Sequence, residues 1–262
     1  MCTVPLALLL ALTMGCGGSS TLTSSPVVSG AYEFAVTSNI TGSTTLVEVN
    51  LTANGSQSSA TGPSQAQVLS LENKIWYVNG VCVGETPGQN SVAATVTAKN
   101  VALTFNDGGN SFDGQGVLTG SAISGNYAFT NSKCPNLVGG IGIPPGSDSG
   151  GFVGNQVPAL AGTFSGPLSL GDGTDNAALT LVQGNNQTLS VSAALTGPAD
   201  NGTFPFSGSA VGNVMFVTGS VNGRALSLFG YVDRTGQFTG TANSMMVFNY
   251  ETLATAGLLI KQ

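Results

Sequence analysis

The side chains able to do chemistry are few, and their types remove most of the options. No histidine occurs among the 262 residues, so there is no imidazole to act as general base, metal ligand or pH switch. Serine is abundant, but no Gly-x-Ser-x-Gly elbow is followed by the histidine that a catalytic triad requires. A hydrolase working with carboxylates alone needs two acids facing one cleft. The twelve acids instead sit mostly at turns, as at Asp107, Asp113, Asp172, Asp175, Asp200 and Asp233, where short acidic side chains bond nearby backbone. Two stretches, Asn106 to Asp113 and Gly171 to Asn176, gather oxygens as a weak Ca²⁺ site around Asp107/Asp113 or Asp172/Asp175 would. Neither has the spacing of a calcium loop or a bidentate glutamate, and hairpin turns account for both. No catalytic residue, metal or other cofactor is expected.

Charge narrows the partners. Six Lys and Arg stand against twelve Asp and Glu, a formal charge of −6 with only 7% of residues charged. No cationic surface can then neutralise phosphates, and nucleic acid is excluded as a main partner. The only tryptophan lies between Glu72 and Asn79, where Trp76 and Tyr77 point to opposite faces if the segment is a strand. One of them is then placed to stack on a sugar ring, or to pack at a strand edge or between domains.

The chain opens with an apolar stretch from Val4 to Met14, whose 11 residues fall short of the ~20 that cross a bilayer, and which reads as the core of a signal peptide. Its end, Leu12-Thr13-Met14-Gly15-Cys16, resembles the lipobox of bacterial lipoproteins. That resemblance implies cleavage after residue 15 and a diacylated Cys16 as the new N-terminus. Two acyl chains satisfy the requirement for stable anchoring. Gly17 stands where a retention-type Asp would hold an enterobacterial lipoprotein in the inner membrane, so the family rule points to the outer membrane. The charge-free Gly/Ser/Thr run over 16–29 is then a flexible tether that holds the body at a membrane, not in it.

From Gly30 onward the hydrophobic period is 2. Tyr32, Phe34 and Val36 share a face; Val47, Val49 and Leu51 share one against Glu48, Asn50 and Thr52; the pattern recurs at Val101/Leu103/Phe105, Leu189/Val191/Ala193/Leu195, Val214/Phe216 and Leu226/Leu228. Asn-Gly and Asp-Gly pairs at 54, 79, 107, 113, 172, 201 and 222 supply hairpin turns between the runs. An all-β fold of antiparallel meanders follows, a β-sandwich or small β-barrel, with no substantial helix outside the signal peptide. The Gly/Pro-rich stretch over 138–157 reads as a linker between a β domain at 30–137 and a second at 158–262. The two look like diverged copies of one unit. Gly30-Ala-Tyr-Glu-Phe34 matches Gly162-Thr-Phe-Ser-Gly166; Asn100 to Phe105 matches Gly223 to Phe229; Gly114 to Gly120 matches Gly236 to Gly240; and Asn126 to Phe129 matches Phe248 to Tyr250. This arrangement resembles β-rich envelope lipoproteins of environmental bacteria, a likeness that carries no activity with it. A membrane-spanning barrel is disfavoured because paired aromatic girdles are missing.

The function expected is that of a non-catalytic, lipid-anchored protein of the cell envelope, a binding or structural module whose partner is a glycan, a small apolar ligand or an envelope protein. A barrel holding an apolar ligand or glycan is the alternative, and a carboxylate-dependent hydrolase a remote one. Cys2 leaves with the signal peptide and Cys16 carries lipid, which leaves Cys82 and Cys134. In an oxidising compartment such a pair forms one disulfide closing a loop of about 50 residues, contributing about 3–4 kcal/mol in the chain-entropy model; two free buried thiols are the alternative. Thiol labelling of the unreduced, denatured mature protein should find no free cysteine, and two labelled thiols would refute the pairing.

Overall fold

The computed structural model describes residues 28–39, 42, 44–51, 53–54, 59–63, 67–70, 91–107, 110–131, 146–184, 187–237, 239–250 and 254–262. Cys16, Cys82, Cys134, Trp76 and Tyr77 lie outside them, as do the leader at 1–15 and nearly all of the tether. The described residues are almost entirely strand, as their period of 2 requires. The first ten strands are β1 (Gly30–Ser38), β2 (Thr44–Leu51), β3 (Ala53–Asn54), β4 (Ser59–Pro63), β5 (Gln67–Ser70), β6 (Ser91–Thr97), β7 (Asn100–Asp107), β8 (Asn110–Thr119), β9 (Ala122–Asn131) and β10 (Gly146–Val157). They form one sheet in the order β3-β4-β6-β7-β8-β9-β10-β1-β2-β5. The next eight are β11 (Ala161–Ser169), β12 (Thr174–Gln183), β13 (Thr188–Thr196), β14 (Asn201–Val211), β15 (Val214–Val221), β16 (Arg224–Asp233), β17 (Ser244–Asn249) and β18 (Thr255–Lys261). These close into a barrel in chain order.

Every strand pairs antiparallel with its neighbour, and in both units the last strand returns to the first, β10 to β1 and β18 to β11. In the second unit this closes the barrel, which removes the exposed edges that would otherwise recruit other strands. The ends of the first sheet are two parts of one hairpin. β3 follows β2 after a single residue and pairs with β4, while β2 pairs with β5 in nearly the same register, Ala53 opposite Ala60 and Glu48 opposite Gln67. Taken as one long hairpin, β2/β3 and β4/β5 curl the sheet back on itself.

Strand alternation places the cores. Inside the first unit, Tyr32, Phe34, Phe112, Tyr127 and Phe152 pack with Val47, Val49, Leu51, Leu103 and Ile123. The Phe112 and Tyr127 rings stack with centroids 5.1 Å apart. Inside the barrel the core is aliphatic: Leu168, Leu179, Leu181, Leu189, Val191, Leu195, Val217, Leu228, Val247 and Leu259 fill it around Phe164 and Phe206. On β13 the outward positions are mostly Ser and Thr.

Three details depart from the sequence reading. The stretch taken as a linker, 138–157, contributes from Gly146 a twelve-residue strand that pairs with both β9 and β1. Its glycines mark places where backbone and rings approach too closely for a side chain: a Cβ on Gly154 would run into the Phe34 ring. Two turn assignments also fail. Asp113-Gly114 lies within β8, and Asn201-Gly202 opens β14, the turn before it being built at 197–200. At Asn222-Gly223 the expectation holds, with φ of 50° and 83° between paired Val221 and Arg224. The internal likeness holds at the first strand, where Gly30 and Gly162 each stand two residues before a buried aromatic, Tyr32 and Phe164. It slips in the middle. Counted along the hairpins, β7 is the fifth strand of its unit and β16 the sixth, and Gly236 to Gly240 forms a loop where Gly114 to Gly120 is mainly strand. Alternating strands joined by similar turns resemble one another at a shift of one strand, which is how that match arises.

Leu179 is completely buried in the barrel. Leu179→Ala should lower unfolding free energy by about 2–5 kcal/mol in a denaturant titration, with the m-value little changed.

Candidate functional site

β16 shows where the two units meet. Its inward residues, Leu226, Leu228 and Val232, belong to the barrel core. The alternate residues Phe229 and Tyr231 are just as buried, and with Val214 and Phe248 they pack on Leu46 of β2, with Ala35, Phe216 and Met246 at the margin. Val214 and Phe216 do share a face, as the sequence says, but it is the outer face of β15 and is covered by the first unit. β2 is likewise closed on both sides: Val47, Val49 and Leu51 point into their own core while Leu46, Glu48 and Asn50 are buried on the other face.

A polar cluster lies within this contact. The hairpin turn joining β14 to β15, Gly212-Asn213, docks on β2. Gly212 has φ of +57°, and a Cβ there would collide with Oε2 of Glu48. Only glycine satisfies both the backbone and the approach. The side chain of Asn50 is held at both ends, donating to the Ala210 carbonyl at 2.7 Å and accepting from the Gly212 N–H at 3.2 Å. The Asn213 N–H donates to Glu48 Oε2 at 2.9 Å. Its side-chain amide donates to Glu33 Oε2 at 2.9 Å and accepts from Arg234 Nε at 2.6 Å. The Tyr231 hydroxyl donates to the same Glu33 oxygen at 2.9 Å, and Arg234 reaches on to the Pro158 carbonyl at 2.8 Å.

Glu33 and Glu48 are direct cross-strand partners. Glu48 is fully buried, and its Oε1 meets no donor. Burial first, then the Glu33 charge and a hydrogen bond to Glu33, push the Glu48 carboxyl well above the ordinary range, against the opposing pull of the Asn213 N–H and Arg234. The shift favours the protonated form of Glu48. Burial and the carboxylates of Glu33 and Glu48 likewise raise the Tyr231 hydroxyl far above its usual value, so it acts only as a neutral donor. Burial lowers the Arg234 guanidinium, which the two glutamates counteract.

The other turn acids are engaged with the protein's own donors. Asp175 accepts the N–H groups of Ala199 and Asp200 at 3.1 and 2.9 Å. Arg224 bridges Asp200 at 2.7 Å and Asp172 at 2.9 Å, and Asn222 donates to Asp200 at 2.7 Å. An arginine and backbone donors therefore take the oxygens that a cation at Asp172/Asp175 would need. Asp233 is buried and gathers the N–H groups of Thr235, Gly236 and Thr239, with two threonine hydroxyls, into a closed loop after β16. Asp113 is exposed on a strand and accepts from Ser111 at 3.3 Å, so the first candidate calcium loop is not a loop at its second acid. Among the described residues no group of three His, Cys, Asp or Glu side chains is placed to hold a metal ion.

The pair at Glu33 and Glu48 was missed because the outer face of β1 and β2 looked solvated. The signal was present in the partner strands. Val214-Met-Phe-Val217, Leu228-Phe-Gly-Tyr-Val232 and Met245-Met-Val-Phe248 are continuous apolar runs, which mark strands covered on both faces. In comparisons with known protein families and curated proteins, the chain matches none.

Gly212→Ala must place a methyl group on Glu48 at a left-handed φ. It should cost about 1–3 kcal/mol in thermal or denaturant unfolding, whereas Gly223→Ala, whose Cβ meets nothing, should cost less.

Proposed function

We propose that the chain is a non-catalytic module of the cell envelope, lipid-anchored through Cys16, in which two β units joined by a buried contact present their outer surfaces to a partner. The observation that supports this reading best is the packed interior of the barrel, where Leu, Val, Phe and Ala side chains from all eight strands occupy the space a ligand-carrying barrel would keep open. Engagement of the buried carboxylates adds to it. Asp175, Asp200 and Asp233 hold backbone, arginine and hydroxyl donors of the protein itself, and the glutamate pair lies beneath the Asn213 turn and Tyr231. A carboxylate-dependent hydrolase would need its pair open to substrate and water.

Mass spectrometry of the mature N-terminus should find a diacylated cysteine at residue 16, and Cys16→Ala should move the protein from the membrane to the soluble fraction. An unmodified N-terminus elsewhere, or a membrane-bound Cys16→Ala form, would remove the anchor from the reading. Stoichiometric binding of an apolar fluorescent probe inside the barrel would replace a structural module with a ligand carrier.

A further inference from the structure

We infer that the contact between the two units is a proton-dependent latch, closed while one proton is held between Glu48 and Glu33 and loosened when that proton leaves. The geometry carries this. The two glutamates are opposed on neighbouring strands, where facing Cβ atoms lie about 4.5–5.5 Å apart. Glu48 is wholly buried; one of its oxygens accepts from the Asn213 N–H, and the other meets no donor. Glu33 already accepts from Asn213 and Tyr231 through Oε2. A proton on Oε1 of Glu48 satisfies that oxygen and lets the side chain donate to Glu33. Without it, a wholly buried Glu48 carboxylate faces the part-buried Glu33 carboxylate, and like charges that close resist being ionised together.

The surrounding groups offer the second charge little help. From β16 the pair meets the Tyr231 hydroxyl, which Asp233 also faces, from the turn after β14 Asn213, and just past β16 Arg234, while Asn50 of β2 holds the same turn. Asn50 is bound to Ala210 and Gly212, and Asp233 is an acid closed within its own loop. Arg234 is the cation of the group, and its guanidinium bonds the Asn213 amide oxygen and the Pro158 carbonyl rather than a carboxylate. Relief of the repulsion comes from water, and water reaches Glu48 when the Gly212-Asn213 turn lifts from β2. Each unit has its own sheet and core, so this opening breaks the contact and leaves the strand ladders intact.

The sign follows from the direction of the shift. A group whose pKa is raised in the closed state contributes fully below its unfolded value and loses that contribution as pH rises through the raised one. Glu48 is such a group, so the contact is firmest in mild acid and weakens toward alkaline pH. A salt-bridged carboxylate would behave in the opposite way.

Hydrogen–deuterium exchange on the full mature chain, corrected for the intrinsic pH dependence of amide exchange, tests the latch between about pH 5 and about pH 9. Protection of the Gly212 and Asn213 N–H groups should fall with rising pH, by at most about tenfold per pH unit for one proton, while Val191 and Ala193 in β13 keep theirs. Glu48→Gln sets a permanent donor where the proton sits and should give high, pH-independent protection at the turn. Glu33→Gln removes the opposed charge and should flatten the fall. A flat profile in the wild type overturns the proposal, as do equal slopes in wild type and Glu48→Gln, or loss of protection in β13 along with the turn. Should either variant fail to fold by circular dichroism, the wild-type profile at the turn against β13 still decides.

Discussion

A carboxyl group shut away from water must either lose its charge or collect donors for both oxygens, and Glu48 collects only one. The contact between the units is arranged around that constraint. Gly212 is glycine because its backbone lies against the carboxyl, and Asn213 serves both glutamates at once, through its N–H and its side-chain amide. Arg234 then fixes the Asn213 side chain from the far side, and the Asp233 loop holds the backbone that carries Arg234. Burial of charge alone rarely favours a contact, since desolvation offsets the attraction. Here the polar cluster sets where the turn sits on β2, while Leu46, Val214, Phe229 and Phe248 supply the apolar area that drives association.

The contrast with the other buried acids sharpens the point. Asp175 receives two backbone N–H groups, Asp233 three with two hydroxyls, and Asp200 an arginine and an asparagine. Asp233 takes its donors from the loop that follows it, while Asp175 and Asp200 lie near strand ends where donors from the next hairpins, 22–25 residues on, converge on them. Glu48 is a longer side chain in the middle of a strand, where neighbouring amides are committed to the ladder with β1. Its donors have to arrive from another part of the chain, more than 160 residues away, and that contact brings one N–H group.

Much of the fold was legible because a half-buried antiparallel strand writes its burial into a period of 2. The inward faces of β1 and β13 are those the alternation assigns, and the Asn222-Gly223 hairpin turns as its residues demand. What the pattern could not convey was the second partner of an outer face. Glu48 and Asn50 alternate with Val47, Val49 and Leu51 as any solvated residues would, and their burial depends on a turn remote in sequence. The glycines of β10 misled for a related reason. Gly150, Gly151 and Gly154 look like linker composition, yet at Gly150 and Gly154 they yield space to the Tyr127 and Phe34 rings inside a sheet. Glycine in a strand and glycine in a linker differ in what surrounds them, and composition does not record surroundings.

The same reasoning bears on how so weakly charged a chain stays discrete. Two of its six Lys and Arg, Arg224 and Arg234, are turned to internal acceptors, so charge repulsion between molecules comes from the acidic excess, a net −6. Protection from strand-to-strand association must come mainly from topology. Joining β18 to β11 closes the barrel, the first sheet ends among the described residues on the short strands β3 and β5, and Ser and Thr on outward rows, such as Thr163 bonded to Thr180 across β11 and β12, present hydroxyls rather than apolar area. The apolar side chains that point outward from β15 to β17 form a broad exception among the described residues, and the first unit covers them. Separating the units would therefore expose Phe229, Val214 and Phe248 as a contiguous patch of the sort that recruits other molecules. The docking of the Asn213 turn on Glu48 is thus part of the contact that keeps that patch covered.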